Sequence, residues 1–387
     1  MVIIGAGPAG LTAATECARA GHRTLLVDAN LAPGGQLIKQ THRFFGSGAH
    51  MAGRRGIDIA RELTAGAEEA GVELWLDSSV YALAPSGQIK MMRGALEGAG
   101  DSRRMHSERV TTQRMILATG AEENPLAFPG WTLPGVMGAG AAQTLVNLHR
   151  VLPGRRVLMV GSGNVGLIVA YQLLQAGADV AAVVEAAPRI GGYDVHSAKL
   201  RRMGVPILTS HTIVEASRDG QVETAIIAQV DTEWHPVPGT EKTLQVDTIC
   251  TAAGLKPNTR LASMAGCQLG FSLGSWSPLY NEDMQTSHPD IYVAGDAGAV
   301  EEASIAMEEG RLAGQSVAAS LGSVVCETER QARRQSLASL RRGDKTGAAR
   351  MQMTESDRRG RRTGDHGNLD PCHGQMYSAE SGDEHAG

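Results

Sequence analysis

The sequence predicts an α/β fold, and three observations carry that reading. A β-branched run at residues 2–4 ends in the turn Gly5-Ala6-Gly7-Pro8-Ala9-Gly10, and an Ala/Leu-rich helical stretch follows. The same order returns at residues 156–176, around Gly161-Ser162-Gly163-Asn164-Val165-Gly166. After each helix a second apolar run stops at an acid, Asp28 in the first case and Glu185 in the second. Strand, glycine turn, helix, strand, acid is the signature of a dinucleotide-binding βαβ unit. Its appearance twice predicts two Rossmann-like domains.

Each part of the first unit has a physical task. Gly5 allows the tight turn, Gly7 lets the backbone approach a pyrophosphate, and Gly10 lets helix and strand pack closely. Pro8 and Ala9 open the helix, whose amino terminus offers free N–H groups and positive dipole to a diphosphate. Asp28 can accept hydrogen bonds from a ribose diol. Gly34-Gly35-Gln36 comes next, and small residues there allow close contact along a flavin nucleotide, which makes Gly35 and Gln36 candidates. His42 and His50 follow in a polar, glycine-broken stretch. Either could face a flavin or substrate, although a solvent-facing loop is the plainer reading. Residues 57–70 have the pattern of an amphipathic helix. Residues 72–117 alternate short strand-like runs with polar loops, as in a β-meander, and Val80 lies in one of these runs. The stretch ends in Met115-Ile116-Leu117-Ala118-Thr119-Gly120, which puts Ala118 and Gly120 at a second close approach to a dinucleotide.

Residues 121–153 are rich in Pro and Gly and read as a connector. In the second unit the candidates are Gly161, Gly163, Asn164, Gly166 and Glu185. A carboxylate at 185 favours a free 2′-hydroxyl over a 2′-phosphate, so NADH is preferred to NADPH, with Arg189 nearby weighing the other way. A site for another adenine nucleotide, or for none, stays open. Residues 207–247 read as a second meander, with a Pro-rich hairpin around Trp234. The run 246–254 then mirrors the strand that stops at Gly120, and it makes Gly254 a candidate. The run 290–296 ends in Gly295-Asp296, where a carboxylate can accept from a flavin ribityl hydroxyl. A helix over 301–312 would turn its amino terminus to the flavin's electron-rich edge.

Composition bounds the rest. A chain of 387 residues exceeds one ordinary core, so two or three domains are expected. The formal net charge of −5 gives no reason to expect nucleic acid or an anionic membrane surface as a partner. No run of eighteen apolar residues predicts a transmembrane segment. No basic, apolar leader precedes the first strand, so a cytoplasmic protein is expected; the short first strand also suggests a start placed late. Cys17, Cys250, Cys267, Cys326 and Cys372 form neither a CxxC pair nor a metal-ligand pair. Beyond residue 322 the chain is polar and mixed in charge, and reads as a frayed helix followed by disorder.

The set GAGPAG…D…GGQ, ATG, GSGNVG…E, AAG and AGD resembles the pyridine nucleotide-disulfide oxidoreductase-like superfamily over residues 1 to about 320. FPGWTLPGVMGAGAAQTL, VAYQLLQAGADV, the PGTEK hairpin and YVAGDAGAVEEASIAMEEGRLAG resemble more narrowly the FAD/NAD-binding alpha subunits of heteromeric amine and imino-acid dehydrogenases. These include opine oxidase, hydrogen cyanide synthase, proline or hydroxyproline dehydrogenase and sarcosine oxidase. The resemblance implies three-layer β/β/α domains, with the NAD domain (121–254) inserted into a FAD domain (1–120 and 255–322), followed by the tail 323–387. It implies FAD at Gly5, Gly7, Gly10, Asp28, Gln36 and Asp296, and a nucleotide at Gly161, Gly163, Gly166 and Glu185. It also implies two partners, a flavoprotein beta subunit plus an iron–sulfur protein, and an amine or imino acid as substrate.

The chain departs from that pattern in two places, its short first strand and its lack of a cysteine-rich iron–sulfur segment. Without CxxC it should not reduce disulfides, and the sequence shows no acid–base dyad. Three functions fit: a FAD-dependent oxidoreductase subunit, a stand-alone NADH:acceptor reductase, and a non-catalytic nucleotide-binding subunit.

Overall fold

The computed structural model describes residues 1–44, 50–96, 103–217, 220–272 and 274–343. Two five-stranded parallel sheets organise them. The first has the order Ile291–Val293, Met115–Leu117, Val2–Ile4, Leu25–Val27, Glu73–Trp75. The second has the order Ile207–Thr209, Asp179–Glu185, Arg156–Val160, Thr248–Thr251, Val136–Gly138. All strands of the second sheet fall in the chain between Met115–Leu117 and Ile291–Val293. The chain leaves the first sheet through Ala121–Glu123 and returns through Leu255–Pro257, and these two segments pair antiparallel.

The strands are short and apolar because both faces are covered. Ile3, Leu26, Ile116 and Tyr292 point to a layer of helices, where Leu11, Ala13 and Leu312 meet them. Val2, Ile4, Val27, Met115 and Leu117 point the other way, onto Leu83, Ile89 and Met91 of an antiparallel meander. The second sheet repeats this. Val157, Met159 and Val183 face the helices Asn164–Gln175 and Asp194–Arg202. Leu158, Val160 and Ile249 face the meander built on Ile213, Ala225 and Ile227. Each unit is therefore a three-layer β/β/α stack.

In the first unit two helices cross at a distance only glycine permits. Pro8–Arg19 packs on Ala303–Ser320. A Cβ on Gly310 would lie 2.1 Å from the Ala9 carbonyl oxygen, and one on Gly314 would lie 2.7 Å from that of Ala13.

Two stretches differ from the sequence reading. The connector 121–153 contains a strand of the second sheet and the helix Ala139–Thr144, which continues into a π-helical turn at Leu145–His149. The Glu123 carboxylate accepts the Gly140 N–H at 2.7 Å and so caps that helix. The second stretch, read as a frayed helix, is a docked one. Glu327–Gly343 buries Leu337, and its arginines reach carboxylates of the first unit. The rest of the tail, 344–387, lies outside the described residues. Among those described, no helix is long and apolar enough to cross a membrane.

The helix crossing gives a direct expectation. Gly310→Ala should lower stability by about 2 kcal/mol or more, because the Ala9 backbone cannot retreat. Thermal unfolding measured beside Gly71→Ala, where a Cβ meets nothing within 4 Å, separates this clash from the strain of an ordinary exposed glycine.

Candidate functional site

The first glycine turn is closed on three sides. Gly5 has φ +107°, and a Cβ there would lie 2.1 Å from the Ala118 carbonyl oxygen. A Cβ on Gly10 would lie 1.8 Å from the Gly5 oxygen. Gly35 stacks on Gly7 so closely that a Cβ on Gly35 would come 2.8 Å from the Gly7 Cα. The fourth side is open, since a Cβ on Gly7 would meet no atom nearer than the Gly35 Cα at 4.0 Å. Gly7 is the N-cap of the helix beginning at Pro8 and Ala9, and no side chain caps it. The result is a cradle of backbone at the positive end of a helix.

Asp28 ties the turn to the end of the second strand. Its Oδ2 accepts the Ala6 N–H at 2.6 Å, and its Oδ1 accepts the Asn30 N–H at 2.7 Å and the Asn30 Nδ2 at 2.8 Å. A carboxylate has about four acceptor positions, so one remains for a ligand hydroxyl. The Ser78 N–H donates to the Asp28 carbonyl at 2.9 Å. That bond starts the strand carrying Val80, which pairs with Met91 and packs between meander and sheet. Gln36 is exposed at the start of the 3₁₀ turn Gly35–Lys39.

The second turn repeats this construction. A Cβ on Gly161 (φ +105°) would lie 2.4 Å from the Ala252 oxygen, and one on Gly166 would lie 2.3 Å from the Gly161 oxygen. A Cβ on Gly163 would meet nothing within 4 Å. Glu185 Oε2 accepts the Ser162 N–H at 2.8 Å and the Ser162 hydroxyl at 2.7 Å, while Oε1 accepts the Ala187 N–H at 2.9 Å. The Asn164 Oδ1 accepts the Tyr193 N–H at 2.8 Å, which holds the following loop over the turn. Gly254 and Gly120 sit beside the paired crossing strands, bonded to Asn124 and Asn258.

Gly295 and Asp296 join the first turn from far along the chain. A Cβ on Gly295 would lie 2.9 Å from the Ala9 Cβ. The Gly295 N–H donates to Glu309 Oε2 at 2.7 Å, and Asp296 Oδ1 accepts the Glu301 N–H at 3.2 Å. Burial pushes the Asp296 carboxyl up to about 6. The structure thus gathers Gly5, Gly7, Gly10, Asp28, Gly35, Ala118, Gly295 and Asp296 into one region, and Gly161, Gly163, Gly166 and Glu185 into another. Sequence reasoning missed Asn30, Ser162 and Glu309, which hold these groups in place. No repeated signal marks them, since Ala6 stands where Ser162 does in the first turn and Ala187 stands where Asn30 does after the second acid.

Neither loop histidine is solvent-facing. His50 Nε2 is 3.3 Å from Glu308 Oε1, with both side chains under a tenth exposed. The His42 ring meets the edge of His196, which lies on Asp194–Arg202 of the second unit, at 6.3 Å between centroids. Burial lowers both, with Lys199 adding to the effect, and His196 falls to about 4.

A family model described as pyridine nucleotide-disulphide oxidoreductase matches residues 1–310. The chain belongs to that family. It is an oxidoreductase. It is 32% identical over 342 residues to the HcnB subunit of hydrogen cyanide synthase from Pseudomonas aeruginosa, a match covering 82% of this chain and 70% of the relative. It is 30% identical to the A subunit of opine oxidase from Agrobacterium tumefaciens, covering 85% of this chain and 67% of the relative. It is also 30% identical to the alpha subunit of sarcosine oxidase from Rhizobium meliloti, covering 83% of this chain but 30% of that longer protein. The fold is shared with L-proline dehydrogenase from P. horikoshii, at a TM-score of 0.64 and 21% identity over 91% of this chain and 59% of that one. It is shared equally with T. acidophilum thioredoxin reductase, at a TM-score of 0.64 and 20% identity over 83% of this chain and 97% of that one.

A lowered histidine is neutral above its own value and charges only below it. The His196 ring proton resonances should therefore stay fixed from about pH 8 down to about 5.5, where an ordinary histidine titrates. NMR titration of the uniformly labelled chain, assigned with His196→Gln, checks this.

Proposed function

We propose that this chain is the FAD-carrying subunit of a heteromeric dehydrogenase for a small amine or imino acid. The observation that carries the reading is the cradle at Gly7, an opening lined by backbone and sized by the absence of side chains at Gly7 and Gly35. The names of the relatives support it, since those from opine oxidase, hydrogen cyanide synthase and sarcosine oxidase are all subunits. The partners proposed are a flavoprotein beta subunit plus an iron–sulfur protein, with the substrate a proline, hydroxyproline, opine, sarcosine or glycine type.

The residues present fit FAD. Gly5, Gly7, Pro8, Ala9 and Gly10 would hold the pyrophosphate on backbone N–H groups and helix dipole. Asp28 would take the adenosine ribose with its remaining acceptor position, with Val80 beside that end. Gly35, Gln36, Ala118, Gly120, Gly295 and Asp296 would line the rest. Bound FAD supplies the two-electron acceptor that no side chain can provide. Asp296, raised toward 6, would accept from a ribityl hydroxyl when ionised and so fix the ring's position.

In the second unit Gly161, Gly163, Asn164, Gly166, Glu185 and Gly254 would hold NADH. Glu185 would repel the extra phosphate of NADPH. This intact second set favours a further reading, a reductase that takes electrons from NADH unaided. Electron relay through protein thiols is not part of either proposal. Cys17 and Cys250 are buried, and burial pushes the Cys250 thiol up to about 12.

Purified chain should show absorbance near about 370 and 450 nm, as bound oxidised flavin does. Bleaching within seconds of adding NADH without oxygen would favour the stand-alone reductase; persistence would favour the partnered subunit. A chain binding neither flavin nor NADH would sink both.

Gly7→Val should fold, because its Cβ has room among protein atoms, yet fill the cradle. Expected flavin content on purification is below a tenth of the unmodified chain's (roughly, for a pyrophosphate displaced from its N–H donors). Stoichiometric FAD in a stably folded Gly7→Val would move the flavin site elsewhere.

A further inference from the structure

Of the five arginines on the helix Glu327–Gly343, four are aimed at acids of the first unit. Arg330 and Arg334 meet Asp283, in the turn before the edge strand Ile291–Val293. Arg333 reaches Glu308 at 3.3 Å and Glu16 at 3.7 Å. Arg341 pairs with Glu309 and, at 3.4 Å, with Glu301. The last contact differs from the others in what lies behind it. Glu309 and Glu301 are 1% and 2% exposed, and Glu309 turns its other oxygen to the Gly295 N–H at 2.7 Å. Glu301 in turn gives its own N–H to Asp296. One cation from the far end of the chain therefore underlies both residues of the Gly295-Asp296 turn.

We infer that Arg341 is a positioning residue for the cofactor turn, acting through Glu309 on the Gly295 N–H and through Glu301 on Asp296. Arg341 grips one Glu309 oxygen and so turns the other to the Gly295 N–H. Burial and the neighbouring Glu301 raise the Glu309 carboxyl, and Arg341 acts against that rise. Without Arg341 nothing fixes which oxygen faces Gly295. The Glu309 oxygens then make a weaker, reoriented acceptor for Gly295. The groups facing Glu309 are Arg341 from the C-terminal helix, with Tyr280 close to that arginine, and Glu301 and Gly295 from the turn. The cation in contact with Glu309 is Arg341, so the role falls to it. The link to flavin rests on the function proposed above; the link from Arg341 to Gly295 does not.

The test uses the full chain and two readouts. Amide hydrogen exchange at residues 294–301 is read without cofactor, and FAD affinity is read by titrating flavin-stripped protein. Arg341→Gln should speed exchange at Gly295 by about tenfold and weaken FAD by about tenfold. Arg341→Lys, which keeps the cation, should return both to within about threefold. Arg333→Gln loosens a different anchor of the same helix and should leave Gly295 exchange within about twofold.

Unchanged exchange in Arg341→Gln, or an equal rise in Arg333→Gln, would overturn the relay, the second by showing that any loosening of the helix suffices. If the native chain binds no FAD, the flavin reading fails while exchange still decides the relay. Should Arg341→Gln not fold, Glu309→Gln takes its place as the background. With a neutral acceptor at 309 the arginine should no longer matter to Gly295, and a further tenfold rise (roughly) on adding Arg341→Gln would overturn the inference.

Discussion

A strand-end carboxylate reaching back to a backbone N–H in the glycine turn is the constraint on which both units depend. Asp28 holds Ala6, and Glu185 holds Ser162. Each bond fixes the turn against the neighbouring strand and keeps the helix amino terminus pointed outward. Charge-assisted bonds of this kind contribute about 1.5–3 kcal/mol each when shielded from water. The rest of each unit, with its doubly covered sheet, is the rigid frame that makes such a bond geometrically reproducible.

The frame also explains why the glycines recur where they do. At Gly5 and Gly161 the left-handed backbone and the nearby carbonyl exclude any side chain. At Gly7 and Gly163 nothing in the protein excludes one. Those two positions stand apart from the packed glycines of the same turns, and they are the ones the proposed nucleotides would approach.

Much of this was legible in sequence because it is local. Strand, turn, helix and acid lie within about thirty residues, at spacings set by the geometry of one βαβ unit. The meanders announced themselves by alternation, and the doubled pattern by its repeat. What escaped reading is long-range. Glu327–Gly343 offers few apolar residues beyond Leu337 and Leu340, so its composition resembles a solvated segment. Its docking relies on arginines meeting Glu16, Asp283, Glu308 and Glu309, none of which is marked in sequence as buried. Helix Ala139–Thr144 was hidden by flanking glycine and proline, and its cap is Glu123, well upstream of it. His50 and His42 looked like loop residues because Glu308 and His196 lie far from them in the chain.

The glycine-mediated crossing of Pro8–Arg19 and Ala303–Ser320 bears on how the protein is made. The first turn leaves the ribosome early, but Gly295, Gly310 and Arg341 are synthesised some three hundred residues later. Until they arrive, the strand Val2–Ile4 lacks the far edge of its sheet, and its helix lacks the partner that approaches at glycine distance. Loop closure over such a span is slow relative to local folding. The inserted unit, whose strands all lie between residues 136 and 251, has its parts in hand sooner. The region around the first turn is thus complete only once the chain's late segments have come home.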